Sequence, residues 1–176
     1  MIFTGLLLSG CLPKIPSKKT SGIQVTDISG GHQLGKVFLP DTERFTRQKK
    51  HLYRNKDPLV INNQVVDKMI LEEYGQILQD VTLWVSASSP AELSRLDAWL
   101  SNICQAFGTG LTIVKPQPLR SSRSSLIRYK RVDKACAALQ GEVSISIQYE
   151  TRVGDDVTQG DAKIYLRNEN NRPQDI

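Results

Sequence analysis

Few side chains in this 176-residue protein could do chemistry: three cysteines, two histidines, and serines in the runs SASSP (86–90) and RSSRSS (120–125). A nucleophilic serine needs a histidine base, itself held by a carboxylate. His32 and His51 both lie in the first third of the chain, far from either serine run. Cys104 and Cys136 lack the closely spaced partners of a zinc site. Gly108-Thr109-Gly110 lacks the lysine and the helix start of a phosphate loop, and reads instead as a helix stop. Asp97 and Asp133 stand alone, and Asp155 and Asp156 occupy a turn beside Gly154. The expectation is a protein that is not an enzyme and uses no metal or cofactor. For Cys104 and Cys136 two readings stand: a disulfide, as in oxidising compartments, or two buried thiols.

The third cysteine has a different setting. Met1 to Gly10 carries no charge, and Leu8-Ser9-Gly10-Cys11 leads into Leu12, Pro13 and Lys14. The run is too short for a bilayer, which takes about 20 apolar residues. A short apolar stretch ending in small residues is the shape of a secretory signal. The tetrapeptide resembles a bacterial lipobox. That resemblance implies removal of residues 1–10 and acylation of Cys11, with several acyl chains giving a stable anchor. Leu12, where retained proteins have Asp, implies sorting to the periplasmic face of the outer membrane.

Charge divides the chain unevenly. Leu12 to Pro58 holds ten lysines and arginines against four acids, whereas the remainder holds thirteen against fourteen. The net charge of +5 therefore belongs to the N-terminal segment. Such a segment beside an anchor has three readings: contact with anionic headgroups, contact with an acidic protein, or a solvated linker. Nucleic acid is not expected, because no aromatic residues interleave the charges. Later in the chain Arg120, Arg123, Arg128, Lys130 and Arg131 form one basic cluster, read either as a partner contact or as a solvated loop and helix face.

These residues need elements to position them. Residues 12 to about 44 are broken by glycine and proline throughout and read as linker, with short apolar alternations at Ile23-Gln24-Val25 and Lys36-Val37-Phe38-Leu39 that read as isolated strands able to pair elsewhere. PLVINNQVV is strand-like, and DKMILEEYGQIL reads as a short helix. Val81 to Val85 is a strand. Ser89, Pro90 and Glu92 supply a helix start, and Leu93, Leu96, Leu100, Ile103 and Phe107 share one helical face. LTIV (111–114) is a further strand, and SSRSSLIRYKRVDKACAALQG is a second helix with Val132, Ala135, Cys136 and Leu139 as its stripe. EVSISIQYE and Ala162 to Leu166 complete the strands. The order β-α-β-α-β-β predicts a single small α/β domain, its helices packed on one face of a mixed sheet. Cys104 and Cys136 would then face each other across a helix–helix seam. The divisions are 1–10 signal, 11–44 lipidated cysteine and basic linker, 45–168 domain and 169–176 polar tail.

From YRNKDPLVI through LWVSASSPAELSRLDAWLSNICQAFGTGLTIVKP to SLIRYKRVDKACAALQGEVSI and DAKIYL, the chain resembles CpaD-type lipoproteins of tight-adherence pilus systems. That resemblance implies a non-catalytic accessory part that supports an outer-membrane channel, with channel or secretion-core proteins in a ring as partners. LSRLDAWL also resembles the helix after the ligand loop of OmpA-like peptidoglycan-binding domains, including those of type IVB secretion lipoproteins. The ligand pair does not carry over: Ser86-Ala87-Ser88-Ser89 stands where Thr-Asp is expected, and Asp97 where arginine is expected. The alternative this second likeness implies is a cell-wall tether.

Overall fold

The computed structural model describes residues 23–114, 129–154 and 156–170. In chain order these form α1 (Val25–Ile28), β1 (Phe45–Lys49), β2 (Leu52–Asn55), β3 (Leu59–Ile61), β4 (Gln64–Val66), β5 (Lys68–Tyr74) and β6 (Ile77–Ala87). After them come α2 (Pro90–Ala106), β7 (Thr112–Val114), β8 (Tyr129–Gln140), β9 (Val143–Gly154) and β10 (Thr158–Asn168). Eight strands make one sheet in the order β1-β2-β5-β6-β10-β9-β8-β7, and β3 pairs with β4 alone. Every pairing is antiparallel. The protein is thus mixed α/β, dominated by a large antiparallel sheet.

Two expected helices are strands. The residues read as a helix in DKMILEEYGQIL form β5, the tight turn at Gly75-Gln76 and the start of β6. The stretch mixes polar and apolar residues without a clean alternation, which left it open to that reading. In the sheet Met69 and Leu71 point to the core, while Ile70 points away. The second is Tyr129–Gln140, the described part of the expected second helix, which is β8. Its alanines, lysines and leucine favour a helix by propensity. That preference is overridden by twelve paired positions along β9, from Tyr129↔Gly154 to Gln140↔Val143, closed by a two-residue turn at Gly141-Glu142.

The expected α2 forms as read. Ser89 Oγ accepts the Glu92 N–H at 3.3 Å, and Pro90 takes the first helical position. The Glu92 carboxylate reaches back to Ser88, accepting its N–H at 2.8 Å and its Oγ–H at 3.0 Å. Those bonds hold its pKa below the usual glutamate value. Leu96, Trp99, Leu100, Ile103 and Cys104 are buried against the core faces of β6, β10 and β9, where Val81, Leu83, Val85, Ile145, Ile147, Ile164 and Leu166 lie. Gly160 lets the helix come close: a Cβ there would sit 2.4 Å from a Leu93 methyl and 3.3 Å from the Tyr149 ring.

The reading of 12–44 as linker fails from residue 23 onward. Ile28 is wholly buried and Phe38 nearly so. The Gly35 N–H donates to Leu78 O at 2.8 Å, Leu78 N–H to Lys36 O at 3.0 Å, and Phe38 N–H to Gln76 O at 2.7 Å. This segment therefore docks on the start of β6, and the boundary drawn at residue 44 cuts through packed structure. Its glycines are compatible with order because they sit at bends of a docked chain rather than in a free one.

The buried amides Asn55, Gln79 and Asn168 are paired, whereas the buried Trp99 Nε1–H has no partner among the described residues. Asn55 Nδ2 donates to Asp57 O (2.8 Å) and Asp67 O (3.3 Å), while its Oδ1 accepts Met69 N–H at 2.7 Å. It thereby closes the base of the β3–β4 hairpin, whose turn residues Asn62 and Asn63 both have positive φ (50° and 63°) as a type I′ turn requires. Asn168 and Gln79 meet at 3.3 Å.

Candidate functional site

α2, the β3–β4 hairpin and the segment 23–38 accompany the core face of the sheet, leaving the opposite face of β5, β6, β10, β9 and β8 uncovered among the described residues. Because side chains alternate along a strand, the pairing register sets which residues this face presents. One row across the sheet reads Lys68, Trp84, Lys163, Gln148, Ala135. The next reads Ile70, Thr82, Tyr165, Ser146, Ala137, and the third Glu72, Asp80, Arg167, Ser144, Leu139. On the other side lies Ser86, Asp161, Glu150, Asp133.

The first row carries the centre of interest. Lys68 and Lys163, on the strands flanking Trp84, hold their ammonium groups 4.4 Å and 4.9 Å from its ring centroid. Lys163 also lies 4.4 Å from the Tyr165 ring centroid. Such contacts attract a cation to the ring's negative face. Elsewhere on the face the cations are matched. Arg167 pairs with Asp80 at 2.6 Å, and Arg131 with Asp133 (3.0 Å) and Glu150 (2.7 Å). Arg152 shares Glu150. These hydrogen-bonded acids push the guanidinium pKa values of Arg131 and Arg167 above the usual range. Glu72 accepts the Tyr74 hydroxyl at 2.6 Å and Asp161 accepts Gln159 Nε2–H at 3.0 Å. Among the described residues neither Lys68 nor Lys163 has an ion-pair partner.

Two shallow depressions open on this face. One, of about 370 Å³, is lined by Trp84, Lys163, Asp161, Gln148, Ala135 and Val114 among others. The second, of about 390 Å³, is lined by Tyr165, Thr82, Arg167 and Ser146 among others. Lys163 borders the first and Tyr165 the second, so the aromatic–cation strip lies between them. No protein-family model matches the chain, and no curated protein or solved structure is similar to it. The site's meaning therefore rests on its own residues.

The residues singled out from sequence fall in different places. Cys104 on α2 and Cys136 on β8 form a disulfide with 6.3 Å between α-carbons. The seam is helix to sheet, not helix to helix, because Cys136 belongs to a strand. Lys130 is exposed on β8, and Arg131 is taken up by Asp133 and Glu150. Arg120, Arg123, Arg128 and Cys11 lie outside the described residues. Asp97, standing where the OmpA-like pattern has arginine, pairs with the Lys134 ammonium. Burial, with Asp97 nearby, pushes the Tyr149 phenol up to about 12.

The histidines sit against aromatic rings. His32 meets the rings of Phe38 and Phe45 edge-on at 5.6 and 5.5 Å, and His51 stacks on Tyr74 at 5.4 Å. Glu73 is 4.0 Å from His51 Nδ1, beyond hydrogen-bond reach. Among the described residues no three His, Cys, Asp or Glu side chains gather as a metal site, and no helix is long and apolar enough to cross a membrane. Lys68, Trp84, Lys163 and Tyr165 escaped the sequence reading. The available signal was the polar–apolar alternation of VTLWVSA and DAKIYLR, which puts Trp84, Lys163 and Tyr165 on the side opposite Leu83, Ile164 and Leu166.

Proposed function

We propose that this protein is a non-catalytic accessory lipoprotein, anchored through Cys11 to the periplasmic face of the outer membrane. It serves as a structural part of an envelope-spanning secretion or pilus machine and supports that machine's outer-membrane channel. The observation that carries the reading is the Cys104–Cys136 disulfide, since such bonds form and persist in oxidising compartments such as the periplasm. It supports, independently of the N-terminal sequence, the same compartment as Leu8-Ser9-Gly10-Cys11. The open sheet face adds a surface suited to docking rather than to reaction.

Mass spectrometry of the mature N-terminus tests the anchor: residues 1–10 are absent and Cys11 is acylated. An intact Met1, or a Cys11→Ser variant that still fractionates with the outer membrane, would overturn it. Crosslinking followed by purification of the lipidated protein tests the assembly, with channel-forming proteins as the expected catch. Retention on purified peptidoglycan without any channel component would favour the cell-wall tether instead.

A further inference from the structure

We infer that the Lys68–Trp84–Lys163–Tyr165 strip is the docking site for an acidic segment of a partner protein. A carboxylate of that segment enters beside the two ammonium groups, and a neighbouring aromatic or aliphatic side chain lies against Trp84 and Tyr165. The inference rests on the accessory-protein reading and names the surface and the chemistry of the partner.

Three observations carry it. First, two like charges are drawn to a single indole from the strands on either side of it. They repel each other there, and a carboxylate shared between them removes that repulsion while gaining charge-assisted hydrogen bonds. Second, these are the cations of the face left without an acid among the described residues; Arg131, Arg152 and Arg167 are already paired. Third, the outward-facing acids of β5, β6, β8, β9 and β10 equal the outward-facing cations in number, so this part of the sheet is neutral, with Arg54 of β2 the neighbouring cation beside Ile70. Attraction of a polyanion, whether glycan, nucleic acid or anionic membrane, grows with net charge spread over a surface, and that is lacking here. A discrete carboxylate needs only the local pair. The adjoining row of Ile70, Thr82, Tyr165, Ser146 and Ala137 carries no charge, so the rest of a polypeptide segment can lie across it.

The test uses the full chain purified in detergent and a labelled synthetic peptide of alternating Glu and Phe. Its Lys-for-Glu counterpart, heparin and phosphatidylglycerol vesicles serve as comparators. Saturable binding of the acidic peptide alone is expected, weakening on the order of tenfold in a Lys68→Gln/Lys163→Gln variant and kept in Lys68→Arg/Lys163→Arg. Trp84 emission in the unmodified protein should shift at saturation, a change absent from Trp84→Phe; this holds even if the glutamine variant folds poorly. Unchanged Trp84 emission, equal binding by the glutamine variant, or equal binding of the basic peptide would overturn the site. So would heparin or vesicle binding that the glutamine variant abolishes, which would mark a polyanion surface. Any of these results obtained while Cys11 is acylated and channel proteins co-purify would remove the docking strip and leave the accessory role standing.

Discussion

His32 shows how one side chain ties the stability of this protein to pH. Its ring is half-buried against Phe38 and Phe45, with Arg44 and Asp41 the charged neighbours. Desolvation is the main cause that lowers its pKa below 6.5, Arg44 adds to it, and Asp41 opposes. Above pH 6.5 the imidazole is neutral in folded and unfolded chains alike, so nothing is lost there. Below that value the unfolded chain takes up a proton that the folded one resists, and stability falls as pH drops through the folded pKa. The urea midpoint should therefore decrease between pH 7.5 and 5.5, and His32→Phe should flatten that slope. A slope unchanged by the substitution would assign the effect to other groups. Asn55 illustrates the opposite case, a buried amide that does not titrate, so its three hydrogen bonds hold at either end of that pH range.

At the scale of elements, two attachments hold the periphery to the sheet. The disulfide links α2 to β8 across 32 residues of sequence. Closing a loop of that length stabilises by about 3–4 kcal/mol in the chain-entropy model. Reducing agent, or Cys104→Ala with Cys136→Ala, should lower unfolding free energy by that order; thiol counting under denaturing, non-reducing conditions should find both sulfurs blocked. The second attachment is the segment around Gly35, where φ is +75° and a Cβ would lie 2.9 Å from Asn168 Nδ2. Gly35→Ala should cost about 1 kcal/mol or more and speed amide exchange at Phe38 and Leu78. Exchange there unaffected by the substitution would mean that the segment is held by other contacts.

These same elements show what could be read in advance. α2 announced itself through Ser89, Pro90, Glu92 and a regular apolar stripe, because capping and periodicity are local. β9 did so through strict alternation. β8 did not, because its alanine-rich sequence carries no alternation strong enough to outweigh helical propensity, and its pairing with β9 supplies what it lacks. The docking of 23–38 was legible only in part: the alternation Lys36-Val37-Phe38-Leu39 signalled an isolated strand, and Val37 does bridge Ile77, whereas nothing local around Ile28 shows that it is buried. The strip around Trp84 spans three strands, so it exists only once β5, β6 and β10 are in register.

For the molecule as a whole the decisive feature is β10, the last of the described strands in chain order yet seated between β6 and β9. It brings Ala162, Ile164 and Leu166 into the core and joins two meanders that otherwise share no pairing, β1-β2-β5-β6 and β7-β8-β9. A chain ended after Val153 should show no cooperative unfolding transition, and a peptide of residues 156–170 added in trans should restore part of it. A sharp melt of the shortened chain alone would refute this. Pairing strands so far apart in sequence also places the domain among slowly folding topologies.

That position of β10 sets an order of events for a chain drawn N-terminus first through a membrane pore. Helix and early strands emerge with no partner for the edge of β6, and nothing behind them can lock the sheet shut. Were this protein exported as proposed, its polypeptide would stay threadable until roughly β10 had crossed, and folding would wait on delivery. The keystone arriving last makes the architecture its own timer.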